Sequence, residues 1–151
     1  MTKRSNGDDA DVRRIVDAAR SGVLTYHPLG GDGQPWPAWL RAFGAACGVY
    51  VIRDKSSHSV RYVGSSARRL YDTITRHFQT WQRKKTFWRG MRGGAGHDPG
   101  MTYTRARCEV AVRLCECGEE TEEEAGLIAR LRPRDNLVER PDGSELEDAP
   151  F

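Results

Sequence analysis

Tyr50 and Tyr62 stand in two short apolar runs, Gly48-Val49-Tyr50 and Tyr62-Val63-Gly64, each with its own glycine. Both runs are rich in Val and Tyr, which predicts strands over 48–53 and 60–63. The polar stretch Asp54–His58 between them predicts a hairpin with a five-residue loop. That register sets Tyr50 directly opposite Tyr62, with Cβ atoms ~5 Å apart on one face of the sheet. The pair is then either ordinary cross-strand packing or two phenols held over one spot. A free phenol has a pKa of ~10, so acting as a base near neutral pH requires a neighbouring cation, metal-bound water or hydroxide.

A helical period over 67–84 places Leu70, Ile74, Phe78 and Trp81 on one face. Arg69, Thr73, Arg76 and His77 form a polar stripe beside that face, at the rim of the core where a cleft would open; Arg68 points to the far side. An arginine so placed offers a planar fork of donors suited to phosphate oxygens. Glu124 precedes Leu127, Ile128 and Leu131 on the apolar face of a second helix, which Pro133 stops. A carboxylate at the edge of a core is costly unless paired or bound to a metal. The same residues also read as a capping box, with Thr121 as N-cap and Glu124 reaching back to it. The residues alone leave both readings open.

These groups need a scaffold, and 151 residues allow one domain with extensions. A helix is predicted over 8–19, then a Gly- and Pro-rich loop and a short helix after Pro37. Residues 1–46 form an N-terminal helical extension in which no chemistry is recognised. The domain proper runs over 47–137, and residues 138–151 form a loose acidic tail. Alternation of Cys108, Val110, Val112 and Leu114 predicts a third strand, giving the order β-β-α-β-α. The fold class expected is α+β, a small antiparallel or mixed three-stranded sheet flanked by helices.

Charge narrows the partners. The formal net charge is +3. The segment 53–92 holds eleven Lys or Arg against two acids, whereas the rest of the chain is net negative. Phe78, Trp81, Phe87 and Trp88 interleave with those cations. Cations among flat aromatics suit a phosphate backbone with exposed bases, although a solvated helix face over core aromatics has the same composition. Arg76, Lys84, Lys85, Arg89 and Arg92 are the expected nucleic-acid contacts. No apolar run is long enough to span a membrane, and the first residues lack the apolar stretch of a secretory signal. Cys47, Cys108, Cys115 and Cys117 fit no small disulfide framework, so reduced thiols and a cytoplasmic protein are expected. Cys115 and Cys117 have C-x-C spacing with no second ligand pair at finger distance, a weak zinc signal.

Taken in order, these elements resemble the GIY-YIG nuclease superfamily. Gly48-Val49-Tyr50 and Tyr62-Val63-Gly64 match its two signatures, Arg69 opens the following helix, and Glu124 with Asn136 matches its closing pattern. The resemblance covers residues 47–136. Departures are a shorter link from Gly64 to Arg69, Thr73 where many members carry His or Tyr, and a larger basic loop over 84–105. The resemblance implies an endonuclease that hydrolyses DNA phosphodiesters with one Mg²⁺ or Mn²⁺. It implies Glu124 as the metal ligand, Arg69 on the scissile phosphate, Tyr50 activating water and Tyr62 orienting it. His77 one turn further along the stripe would relay a proton or simply contact phosphate, and Asn136 would fix Glu124's helix against the sheet. The alternatives are a nucleic-acid-binding module on the same fold without turnover, which is a reading of another class, and an RNA nuclease.

Overall fold

β-Branched and aromatic runs bounded by polar turns give the strands, and apolar residues at helical spacing give the covers. The structure is a computed structural model, described for residues 6–78 and 103–138. The expected contacts Lys84, Lys85, Arg89 and Arg92, the aromatics Trp81, Phe87 and Trp88, and the tail from 139 lie outside the described residues. In chain order the elements are α1 (Asn6–Ser21), β1 (His27–Pro28), α2 (Ala38–Arg41), β2 (Gly48–Asp54), β3 (Val60–Ser66) and α3 (Leu70–Arg76). A 3-10 turn (Arg105–Arg107), β4 (Cys108–Leu114), α4 (Glu120–Leu131) and α5 (Arg134–Val138) complete them.

The protein is α+β, with an antiparallel sheet in the order β1-β4-β2-β3. The three expected strands are present, and β1 makes a fourth: His27 pairs with Val110 and Pro28 with Glu109. A two-residue strand ending in proline leaves no periodicity in the sequence, and proline is tolerated there because β1 is an edge. Strand β2 is central, so Val49, Tyr50, Val51 and Ile52 are all buried.

Each face of the sheet has its own core. Tyr50, Ile52, Val110 and Val112 pack with Ile15 and Ala19 of α1, Trp39, Leu40 and Phe43 around α2, and Leu70 and Ile74 of α3. Val49, Val51, Val63 and Ala111 pack under Leu127 of α4. Residues 6–46 therefore supply much of one cover. Arg105, buried just before β4, holds the Gly/Pro-rich loop down. Its guanidinium donates to the carbonyls of Leu29 (2.7 Å) and Gln34 (2.9 Å) and lies over the Trp36 ring at 3.8 Å.

Three local expectations are corrected. Tyr50 pairs with Gly64, not Tyr62, through two one-residue shifts: the turn closes at Asp54 and Ser59, so Arg53 faces Val60, and Arg61 is an extra residue in β3, after which Ile52 faces Tyr62. Asp54 extends β2, and its carboxylate accepts from the Ser56 and Ser57 amides (2.9 Å each), which organises the turn. Helix α3 begins at Leu70 and not at 67, because Arg68 adopts a left-handed φ of 67° and Arg69 is the N-cap. Cys47 and Cys117, expected as thiols, form a disulfide with Cα atoms 5.3 Å apart. The start of β2 lies beside the end of β4, where Cys115 N–H donates to Cys47 O (3.2 Å), so residues 70 apart in sequence meet. No helix among the described residues is long and apolar enough to cross a membrane.

Candidate active site

Gly64 explains the second signature. It lies opposite Tyr50, whose ring folds across it: a Cβ built on Gly64 would stand 2.5 Å from Tyr50 Cζ and 2.9 Å from Cε1. Only glycine leaves that space. Gly48 is similarly confined, since its Cβ would lie 2.5 Å from the Arg113 carbonyl oxygen and 3.2 Å from Leu70 Cδ1.

The Tyr50 ring, 2% exposed, passes over Gly64 and ends at His77, with Oη and Nε2 2.8 Å apart. His77 follows the last turn of α3 and is itself buried, so the stripe expected at the rim divides. His77 turns inward, Arg76 is exposed, and Thr73 donates to Ser66 Oγ (3.0 Å). Tyr62 reaches the same spot although it is not opposite Tyr50. Two residues further along the ladder on one face is within aromatic reach, and its ring centroid lies 6.3 Å from Tyr50 and 4.8 Å from His77. The two phenols and the imidazole are thus brought together.

A third phenol, Tyr103, closes the cluster and was not a sequence candidate. Its ring is 6.0 Å from His77 and 6.1 Å from Phe78, and its N–H donates to the His77 carbonyl at 2.6 Å. Its hydroxyl donates to Asp135 Oδ2. Burial, then that hydrogen bond, pushes the Tyr103 phenol well above its ordinary range. Asp135, also buried, accepts from Arg134 Nε (2.7 Å) and Nη2 (2.9 Å). Tyr103 had no signal in the sequence, since it lies in an irregular stretch before the third strand.

Asn136 works as an artificial strand partner. Its Oδ1 accepts from Val63 N–H (2.6 Å) and its Nδ2 donates to Val63 O (2.8 Å), which satisfies the outer edge of β3 between Tyr62 and Gly64. Glu124 sits across the strand. It accepts from Ser65 Oγ at 2.5 Å, and Ser65 shares the face of Val63, under α4. The tyrosine cluster lies on the other face, so the two groups straddle β3. Glu124 is not a capping residue: the N-cap of α4 is Glu119, two residues before Thr121. Burial raises the Glu124 carboxyl above its ordinary value, partly offset by the Ser65 hydrogen bond.

Arg69 remains at the surface. Its side chain is 67% exposed and pairs with Asp72 at 3.5 Å, an i,i+3 contact on α3. No group of three or more His, Cys, Asp or Glu suited to a metal occurs among the described residues. A single carboxylate can still hold Mg²⁺, which keeps several waters in its shell. Glu124 fits that role: it is half-buried, its charged form is disfavoured by burial, and among the described residues its hydrogen-bond partner is a neutral hydroxyl. Compared with known proteins, the chain matches no family model and no curated protein.

Proposed function

We propose that this chain is a divalent-metal-dependent endonuclease that hydrolyses DNA, with the GIY-YIG arrangement of groups. The observation that carries the reading is the buried Tyr50 Oη–His77 Nε2 contact with Tyr62 against the same imidazole. A phenol near neutral pH needs a partner to take its proton, and the imidazole is the side chain that titrates in that range. Tyr50 is held by Gly64 beneath it and His77 at its tip, so it can orient a nucleophile without reorganising. Tyr62, half-buried on the edge strand, is more accessible than Tyr50 and would orient the water or the phosphate. Glu124 would hold Mg²⁺ or Mn²⁺, which would supply charge neutralisation at the phosphate. Arg69 and Arg76, both exposed, supply cations for the DNA backbone.

One observation favours a second reading. Glu124 and the tyrosine cluster are on opposite faces of β3, and Arg69 is paired with its own helix neighbour. A nucleic-acid-binding module without turnover requires no convergence of those groups. Incubating the purified protein with supercoiled plasmid, in Mg²⁺ and then with chelator, separates the two. Metal-dependent nicked or linear product supports the nuclease. Retarded but intact plasmid in every lane supports the module.

A further inference from the structure

The nuclease reading uses Tyr50, Tyr62 and His77 and leaves the groups behind His77 without a role. Those groups form a continuous chain. Tyr103 holds the His77 carbonyl through its own N–H at 2.6 Å and lays its ring against the imidazole at 6.0 Å. Its far end is fixed on Asp135, and Asp135 is fixed by two donors of Arg134. The next residue, Asn136, clips Val63 through both backbone groups and so fixes the strand that carries Tyr62. One short helix, α5, therefore sets both sides of the cluster.

Ordinary packing accounts for an aromatic at 103 but not for its partner. A phenylalanine would fill the same space without a buried carboxylate, and replacing buried polar pairs with apolar groups is often neutral or stabilising. What the Tyr103 hydroxyl adds is direction: with its tip bonded, the ring cannot swing away from His77. We infer that Tyr103 and Asp135 are positioning residues that fix the His77 imidazole toward Tyr50. The consequence for rate rests on the nuclease reading; the consequence for the imidazole itself does not. Among the described residues, titratable rings facing His77 include Tyr50 from β2, Tyr62 from β3 and Tyr103. Behind Tyr103 stands the charged pair Asp135–Arg134 of α5, and Arg76 precedes His77 on its own element.

The test uses Tyr103→Phe, which keeps the ring and the amide, and Asp135→Asn, which keeps an acceptor but removes the charge. The ¹⁵N resonances of the His77 imidazole, assigned by their loss in His77→Gln, are followed from pH 5 to 8.5 in the full chain. Single-turnover DNA cleavage is measured over the same range. In both variants the His77 titration midpoint moves by ~0.3 pH units or more. The pH–rate profile moves with it, and the Tyr103→Phe rate falls by ~10-fold, a fraction of what a general acid–base group contributes. Variants that lose thermal stability while the His77 midpoint and the profile stay in place overturn the inference. A wild type that cleaves no DNA refutes the nuclease reading, and the His77 resonances still decide the positioning role.

Discussion

Replacing Gly64 with alanine tests how the tyrosine cluster is built. The added methyl would sit 2.5 Å from Tyr50 Cζ and 2.9 Å from Cε1, far inside van der Waals contact. The neighbour is a ring 2% exposed and bonded at its tip to His77, so it has no free end to move. Overpacking a core costs ~1–3 kcal/mol, and displacing Tyr50 from His77 removes a hydrogen bond worth ~1 kcal/mol. The sum is ~2–4 kcal/mol, and a chain of this size loses ~2–4 °C per kcal/mol. Thermal unfolding of Gly64→Ala should therefore fall by ~5–15 °C. The assay is a double-mutant cycle with Tyr50→Ala. In that background the ring is gone, and alanine replaces a strand glycine whose own flexibility costs ~0.5–1 kcal/mol, so the second change should be neutral or slightly stabilising. A coupling of ~2 kcal/mol or more is expected. An equal cost of Gly64→Ala in both backgrounds would refute the argument that Gly64 is there for the Tyr50 ring.

Three further outcomes follow from the contacts. Asn136→Leu leaves the Val63 N–H and C=O without their partner, and urea unfolding should register a loss of ~2–4 kcal/mol for two unmet backbone groups. Cys47→Ser with Cys117→Ser removes a cross-link between residues 70 apart, which the chain-entropy relation values at ~4 kcal/mol; a melting curve unchanged by reductant would contradict the bond. Asp54 has its carboxyl lowered, first by the Ser57 amide, then by Ser56, the Ser57 hydroxyl and Arg61, against the opposing effect of burial. A lowered folded-state value contributes stability above the unfolded carboxylate pKa and loses it as pH falls. The difference between wild type and Asp54→Ala should thus be full above ~pH 5 and shrink toward pH 2.

The sequence made the three main strands and their antiparallel hairpin legible because apolar alternation and turn chemistry agree there. It did not reveal β1, whose two residues are held by β4 and not by any pattern of their own. The hairpin register differs by two residues: the turn closes one residue tighter, at Asp54 and Ser59, and a bulge at Arg61, which has no signature in composition, adds the second shift that brings Gly64 under Tyr50. The stripe on α3 was drawn from an ideal helix starting at 67. The left-handed Arg68 delays that start, and at the other end the bonds tighten to i→i−3 at His77 and Phe78, where His77 is buried while Arg76 stays exposed. The fold brings together the rings of Tyr50, Tyr62 and His77. These three were picked out as candidates, the tyrosines by type and spacing and His77 by the stripe and the GIY-YIG resemblance. Tyr103 and Asp135 were not, because only the folded chain brings residue 103 beside α3 and α5. The disulfide was missed for the same reason, since thiols 70 residues apart are joined by the neighbouring ends of β2 and β4.

The central claim is that the Tyr50–His77 pair takes part in phosphodiester hydrolysis. Single-turnover cleavage of a plasmid by wild type and Tyr50→Phe, with Mg²⁺ and saturating protein, tests it directly. The phenylalanine ring keeps its place over Gly64 and loses only the hydroxyl that meets His77. The account predicts metal-dependent cleavage by wild type and a rate ~10²-fold or more lower in Tyr50→Phe, the scale of a general acid–base group, with DNA binding retained. Equal cleavage by both proteins, or binding without cleavage by either, would contradict it.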